Sequence, residues 1–236
     1  MEIRGERECK SCGRQWSYFE TGSVSCPYCG SMKSVGVGDR KQHTSSAATL
    51  DLSPHRAAVS DTSIRDAAPE LKADLRDYIR KIGFIHGGDL RPLSDEVLVV
   101  YELLHAVDIV ARSNRPTDDE QFYVLELLRG ADDGDRLAPG DVPDSMTDAR
   151  GLAYAEAVDD YRRDLSTWLD ENPDPEVRKT LGSLSNYVKR AEALEGAMPL
   201  DESETLVLAV RDIHTSIVDD DLDALASARD RLASLL

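Results

Sequence analysis

Cys9-Lys10-Ser11-Cys12-Gly13 and Cys26-Pro27-Tyr28-Cys29-Gly30 decide the N-terminal fold of this chain, and they contain all four of its cysteines. A Cys-x-x-Cys turn directs two thiolates at one ion. The glycine that follows lets the backbone turn back beneath the sulfur atoms without a Cβ clash. Two such turns at the ends of a short hairpin supply the four soft ligands of a closed tetrahedral zinc site. We therefore predict structural Zn²⁺ held by Cys9, Cys12, Cys26 and Cys29.

Residues 9–30 resemble the zinc-ribbon superfamily, in particular the transcription-factor-IIB type, and more loosely rubredoxin. The resemblance rests on the two cysteine pairs with their glycines, and it implies that the four cysteines bind zinc. Rubredoxins use the same two turns to hold iron for electron transfer, with a much longer segment between them. Here thirteen residues separate Cys12 from Cys26. That segment leaves little room for an aromatic core of the rubredoxin kind, so zinc is favoured over iron.

The whole chain also resembles an uncharacterised zinc-ribbon family of halophilic archaea. Asp outnumbers Glu and Arg greatly outnumbers Lys, and the formal net charge is −17 over 236 residues. Hydrated carboxylates keep such a surface soluble in concentrated salt. The order of ribbon, linker and helical region resembles that of transcription factor IIB, the initiation factor that gives this ribbon type its name. No pair of matching cyclin-like repeats follows residue 60, however. The family resemblance therefore implies a fold and no mechanism.

The charge is distributed unevenly along the chain. Residues 1–42 carry seven basic and five acidic side chains, a net +2, so the remaining residues carry −19. A chain of that sign does not bind nucleic acid or an anionic membrane through its bulk. No stretch approaches the roughly 18 apolar residues of a membrane span, and the first six residues lack the apolar core of a signal peptide. Because thiols that bind metal must stay reduced, we expect a cytoplasmic protein.

Three regions are expected: a zinc ribbon over residues 1–33, a flexible tether over 34–60 and an acidic all-helical domain over 61–236. Gly36, Gly38 and several serines favour a tether in the middle region. From residue 61 onward the apolar residues recur at helical spacing. The predicted fold is mainly α, with a small N-terminal β zinc ribbon tethered to a helical bundle.

Six helical stripes are predicted from this spacing. Their members are Leu71, Leu75, Tyr78 and Ile82; Val97, Tyr101, Leu104, Val107 and Ala111; Tyr154, Val158, Tyr161, Leu165 and Trp168; Val177, Leu181, Leu184, Val188 and Ala191; Leu206, Val210, Ile213 and Ile217; and Leu222, Leu225, Leu232 and Leu235. Ser94 is expected to cap the second helix, and Thr117 with Glu120 forms a capping box that opens a short helix ending at Gly130.

Two sequence motifs suggest other chemistry. Cys26-Pro27-Tyr28-Cys29 is the active-site motif of glutaredoxins, but a redox pair belongs at a helix N-terminus within a βαβ fold. Here a glycine follows instead, and a second cysteine pair lies upstream to complete a metal site. Glu102 and His105 form a Glu-x-x-His unit of the kind found in di-iron bundles. A di-iron site needs a second such unit, which the chain does not offer, so we expect a structural role for both residues.

The aromatic residues of the ribbon allow two interpretations. Trp16, Tyr18 and Phe19 either form the small core of the metal module, with Trp16 the first choice, or face outward and bind a partner. Arg14 and Lys33 would then complete the partner-binding surface.

We expect no catalysis, because no nucleophile set, phosphate loop or dinucleotide turn is present. The ribbon is predicted to dock on a gene-expression machine, through its protein or, more weakly, its nucleic acid. The alternatives are a protein–protein scaffold, which could form a homo-oligomer through its helices, and a rubredoxin-like electron carrier.

Overall fold

The N-terminal module is a three-stranded antiparallel sheet with a single helical turn. The computed structural model describes residues 1–46 and 48–235. In this module the elements are β1 (Glu2–Cys9), β2 (Gln15–Ser17), α1 (Tyr18–Thr21) and β3 (Ser34–Gln42). The strand order is β2-β1-β3, so β1 is the central strand. Cys9, the first of the four cysteines, therefore ends the central strand of the sheet.

Strand β3 lies in the segment that the sequence predicted as a flexible tether. It pairs with β1 from Glu2↔Gln42 to Cys9↔Ser34, with a bulge opposite Gly5. The glycines taken as signs of a linker have a strand function instead. A Cβ at Gly36 would lie 3.0 Å from the Cβ of Arg4. Gly38 has φ +74°, a conformation that suits the extra residue of a β-bulge.

The rest of that segment follows the helical domain closely. Thr44 donates its backbone N–H to the carbonyl of Ile85, and Ser46 donates to that of Lys81. Leu52 is fully buried. Residues 53–61 form a helix, α2, whose first turn contains Pro54. The backbone between the module and the domain is thus hydrogen-bonded to the helical domain at Thr44 and at Ser46.

Helices make up most of the remainder. Their bounds are α2 (Ser53–Asp61), α3 (Ile64–Lys81), α4 (Asp95–Arg112), α5 (Asp118–Gly130), α6 (Thr147–Glu171), α7 (Pro175–Ala193), α8 (Leu200–Val218) and α9 (Leu222–Ala233), with three short 3-10 turns between residues 131 and 146. Between α3 and α4 lies a hairpin, β4 (Ile85–His86) and β5 (Asp89–Leu90), which the sequence did not predict. The predicted fold class is confirmed, with this hairpin as an addition.

The core of the helical domain has two parts that share helices. One contains the hairpin, α7, α8 and α9; the other contains Leu52, α3 and α5; α4 and α6 contribute to both. The helices therefore form one continuous bundle rather than two. Within the described residues, no helix is long and apolar enough to cross a membrane.

Helix α4 is more deeply buried than its predicted stripe. All seven residues from 97 to 103 are buried, because the helix contacts both parts of the core. Its predicted cap is confirmed, since the Ser94 side chain accepts a hydrogen bond from the backbone of Val97. The Thr117–Glu120 capping box is present as well. The stripe prediction fails at Leu222, which is 79% exposed because Asp221 caps α9 and places Leu222 at its first position.

Candidate metal centre

Two matching turns hold the four cysteines. Gly13 donates its backbone N–H to the carbonyl of Cys9, and Gly30 donates to that of Cys26, each at 2.9 Å. Both glycines have positive φ, +74° and +69°, where a side chain would be strained. The sequence prediction for these glycines is confirmed, and the two turns present their cysteine pairs in the same way.

The sulfur positions fit one tetrahedral metal ion. The four Sγ atoms lie within 4.8 Å of one another. The distance from Cys9 Sγ to Cys29 Sγ is 3.6 Å, and that from Cys12 Sγ to Cys26 Sγ is 3.7 Å. A tetrahedral ion with metal–sulfur bonds of about 2.3 Å requires sulfur–sulfur separations of about 3.8 Å. The four cysteines could therefore hold a metal ion with little movement.

The electrostatics of the four cysteine side chains also favour binding of a cation. Backbone N–H groups of Cys12 and Ser11 help to lower the pKa of Cys9 to about 6. A backbone hydrogen bond from Ser31 lowers the pKa of Cys29, but the neighbouring sulfurs of Cys12, Cys9 and Cys26, together with burial, raise it to about 12. Four sulfurs this close cannot all ionise beside one another unless a positive ion neutralises them.

Trp16 belongs to the core of the module. It is 6% exposed, packs with Cys9 and Cys26, and donates its indole N–H to the carbonyl of Ser23. The interpretation of Trp16 as a core residue is confirmed. Its ring is not free to stack on a base or to enter a partner's pocket.

Phe19 faces the helical domain rather than solvent. Its ring lies 4.6 Å from the His43 ring and 6.0 Å from the His86 ring, measured between centroids. A Cβ at Gly5 would overlap this ring, and one at Gly87 would meet it at 3.0 Å. Phe19 therefore joins the sheet to the β4–β5 hairpin, a function that its sequence context did not indicate. Tyr18 is half-buried.

His43 completes this contact. Its Nδ1 accepts a hydrogen bond from the backbone N–H of Gly87 at 3.2 Å, and the ring is buried. Burial lowers the pKa of His43, and the neighbouring His86 lowers it further. The burial arises because β3 continues the sheet up to the hairpin.

Apart from Met1, the exposed large apolar side chains of the module lie within or close to the second cysteine turn along the chain. They are Val24, Tyr28, Met32 and Val35, which we call the second-knuckle surface. Tyr28 is 56% exposed and Met32 is 68% exposed. The Arg14 guanidinium lies 4.6 Å from the centre of the Tyr28 ring, and Lys33 is exposed beside Met32. Of the predicted partner-binding residues, only Arg14 and Lys33 border this surface. The signal available in the sequence was the presence of Val24, Met32 and Val35, three apolar residues close to the second cysteine turn.

A buried charge network occupies the centre of the helical domain. Glu102 and Arg150 are fully buried, with Arg150 Nε donating to Glu102 Oε1 at 2.7 Å. The hydroxyl groups of Tyr123 and Tyr154 also donate to the Glu102 carboxylate. Burial lowers the pKa of Arg150, but Glu102 and the two tyrosines more than offset it, so that this pKa is raised. His105 instead pairs with Glu156 at the surface. The Glu-x-x-His pair is thus split, because Glu102 belongs to the core network and His105 contacts Glu156 near the surface.

The fold and the cysteine cluster define a class of protein: a small sheet module with four clustered cysteines that could hold a metal ion, packed on an acidic helical bundle. Residues 1–232 match the model of a family of unknown function, DUF7117, and the chain belongs to that family. No curated protein and no solved structure matches the chain. The family description names neither a transcription-factor-IIB-type ribbon nor halophilic archaea, so both resemblances stay predictions.

Proposed function

We propose that this protein is a non-catalytic, zinc-binding interaction protein whose ribbon docks on a component of a gene-expression machine. The observation that carries the proposal is the second-knuckle surface, four exposed apolar side chains on the module that contains the cysteine cluster. Exposed aromatic and methionine side chains are enriched where proteins bind one another. The resemblance of the two turns to transcription-factor-IIB-type ribbons supports the choice of partner.

The composition of that surface favours protein over nucleic acid as the bound component. Arg14 and Lys33 are the basic residues beside it, and Arg14 already lies over the Tyr28 ring. Trp16 is buried and Phe19 packs on the helical domain, so neither offers a free stacking face. Binding to nucleic acid depends on many phosphate contacts and on stacking platforms. The ribbon provides few of either.

The test is recovery of partners from a nuclease-treated lysate of the source organism, with tagged full-length protein and identification by mass spectrometry. We expect RNA polymerase or ribosomal components with the unaltered chain. Tyr28→Ser combined with Met32→Ser should lose them. The matched control, Val218→Ser with Leu222→Ser, removes from the helical domain two apolar side chains that are at least as exposed. The control variant should retain the partners.

Salt separates the docking modes. Apolar docking should persist or strengthen as salt rises, whereas binding through phosphate contacts should weaken steeply. Partners that are unrelated to gene expression but depend on the second-knuckle surface would favour the scaffold alternative. A coloured, iron-loaded protein would favour the electron carrier, while a colourless one with one zinc ion per chain supports the proposal.

A further inference from the structure

A groove runs between α7 and α9 on the helical domain, far along the chain from the ribbon. It consists of two adjoining cavities of about 260 and 530 Å³ that share Ser183 and Tyr187. Its apolar lining comes from Leu232, Leu235 and the ring of Tyr187. We call it the α7–α9 groove. From Lys179 to Arg190 it follows about 17 Å of helix, a length that accommodates a short peptide segment.

The groove is lined by basic residues on an otherwise acidic domain. Lys179, Arg190 and Arg229 line it, and among the described residues no carboxylate does. Helix α7 itself carries four basic and two acidic side chains, whereas residues 43–236 together carry −19. A basic groove surrounded by acidic surface attracts a negatively charged ligand to one place and repels it elsewhere.

Several donors of this groove are not used within the protein. Lys179 is exposed and makes no ion pair with any residue that the structure describes. Arg229 uses Nε for Thr180 and Nη2 for Glu176, so its Nη1 keeps two N–H donors. The Nη2 of Arg190 lies 3.4 Å from Glu202. The groove can therefore bind at least two additional carboxylates without breaking an existing ion pair.

We propose that the α7–α9 groove docks an acidic segment of a partner protein. An apolar side chain of the segment packs on the half-buried Tyr187 ring, beside the nearly buried Leu232 and Leu235, while carboxylates of the segment pair with Lys179 and Arg229. The apolar lining favours a peptide over nucleic acid, because a phosphate backbone offers nothing to bury there and its uniform charge meets the acidic surroundings. This site is separate from the second-knuckle surface and does not depend on the function proposed for the ribbon.

The test is a selection of displayed random 12-residue peptides on the immobilised, zinc-loaded full chain. We expect enrichment of sequences that combine Asp or Glu with Leu, Ile, Phe or Tyr. Binding of the best synthetic peptide, measured by fluorescence anisotropy, should weaken by about tenfold in Lys179→Glu. The matched control is Lys189→Glu, the same charge change at an exposed position on the same helix that does not line the groove. It should leave affinity within about twofold.

Three results would overturn the proposal. The first is a lack of charge dependence, seen either as enrichment of peptides without acidic residues or as equal peptide affinity of Lys179→Glu and Lys189→Glu. The second is a dimer of the unaltered chain that becomes monomeric in Lys179→Glu, which would assign the groove to a second copy of the chain. The third is tighter binding of single-stranded RNA than of any selected peptide, with the same dependence on Lys179. Unchanged peptide binding in Tyr28→Ser with Met32→Ser would support a site independent of the ribbon.

Discussion

At the scale of single residues, the least expected feature is a charged pair at the centre of a helical bundle. Taking Glu102 and Arg150 out of water costs several kcal/mol for each ion. Three hydrogen bonds to the Glu102 carboxylate and the attraction of the pair offset this cost. The pair also joins α4 to α6, the two helices shared by both parts of the core.

We expect Glu102→Gln to destabilise the protein by about 3–5 kcal/mol, because it leaves the Arg150 charge buried without its counter-ion. The measurement is urea denaturation followed by the helical circular-dichroism signal. Glu156→Gln is the matched control, since it removes the exposed partner of His105, and it should cost less than about 1 kcal/mol. Similar losses in the two variants would contradict the importance of the buried pair.

At the scale of elements, close helix packing depends on glycine. Gly151 in α6 approaches the loop between α7 and α8 so closely that a Cβ would overlap the carbonyl oxygen of Gly196. Gly196 itself has φ +85°. Gly182 in α7 differs, because a Cβ there would meet nothing within 4 Å. The two helical glycines therefore have opposite roles, which their sequence contexts do not distinguish.

Gly151→Ala and Gly182→Ala should change stability in opposite directions. Alanine is better than glycine within a helix by about 1 kcal/mol, so Gly182→Ala should stabilise the protein by up to that amount. Gly151→Ala should destabilise it, by about 1–3 kcal/mol, since backbone must move to admit the methyl group. Thermal unfolding of both variants measures the difference. A gain in stability at Gly151 would show that the loop moves away freely.

At the scale of the whole molecule, the metal module and the bundle are connected by packing as well as by the chain. The side-chain amide of Gln42 donates to the carbonyl of Thr167, and the Trp168 indole donates to the carbonyl of Gly88. Thr44 Oγ1 donates to Asp164 at 2.5 Å. The hairpin lies between the sheet and α6, so a change in the metal site has a direct route to the helical domain.

Removal of the metal should unfold the module and loosen the hairpin. Apparent zinc affinities of roughly 10–16 kcal/mol exceed what so small a core can supply. We therefore expect faster amide hydrogen exchange in residues 2–42 and 85–90 after chelation, or after Cys26→Ser with Cys29→Ser. Exchange in α4 and α8 should stay slow, because their cores are independent of the cysteines. Unchanged exchange in residues 85–90 would show that the module and the bundle are uncoupled.

Local patterns in the sequence predicted the clustering of the four cysteines, the helical class of the remainder and two of the helix caps. These features depend on contacts within a few residues, such as a Cys-x-x-Cys-Gly turn, an apolar repeat or the spacing from Thr117 to Glu120. Local spacing is visible in a sequence, so the predictions made from it were confirmed.

The contacts between residues that are distant in the chain depend on the tertiary fold. The fold places Gly36 and Gly38 of the supposed tether in a strand, beside Arg4 and Glu6 respectively, because β1 takes a second partner strand along its other edge. It buried Glu102 against Arg150, 48 residues away, and placed Phe19 against the hairpin. In each case the deciding contact joins segments that no local pattern relates, since the free energy of burial depends on what the fold brings alongside.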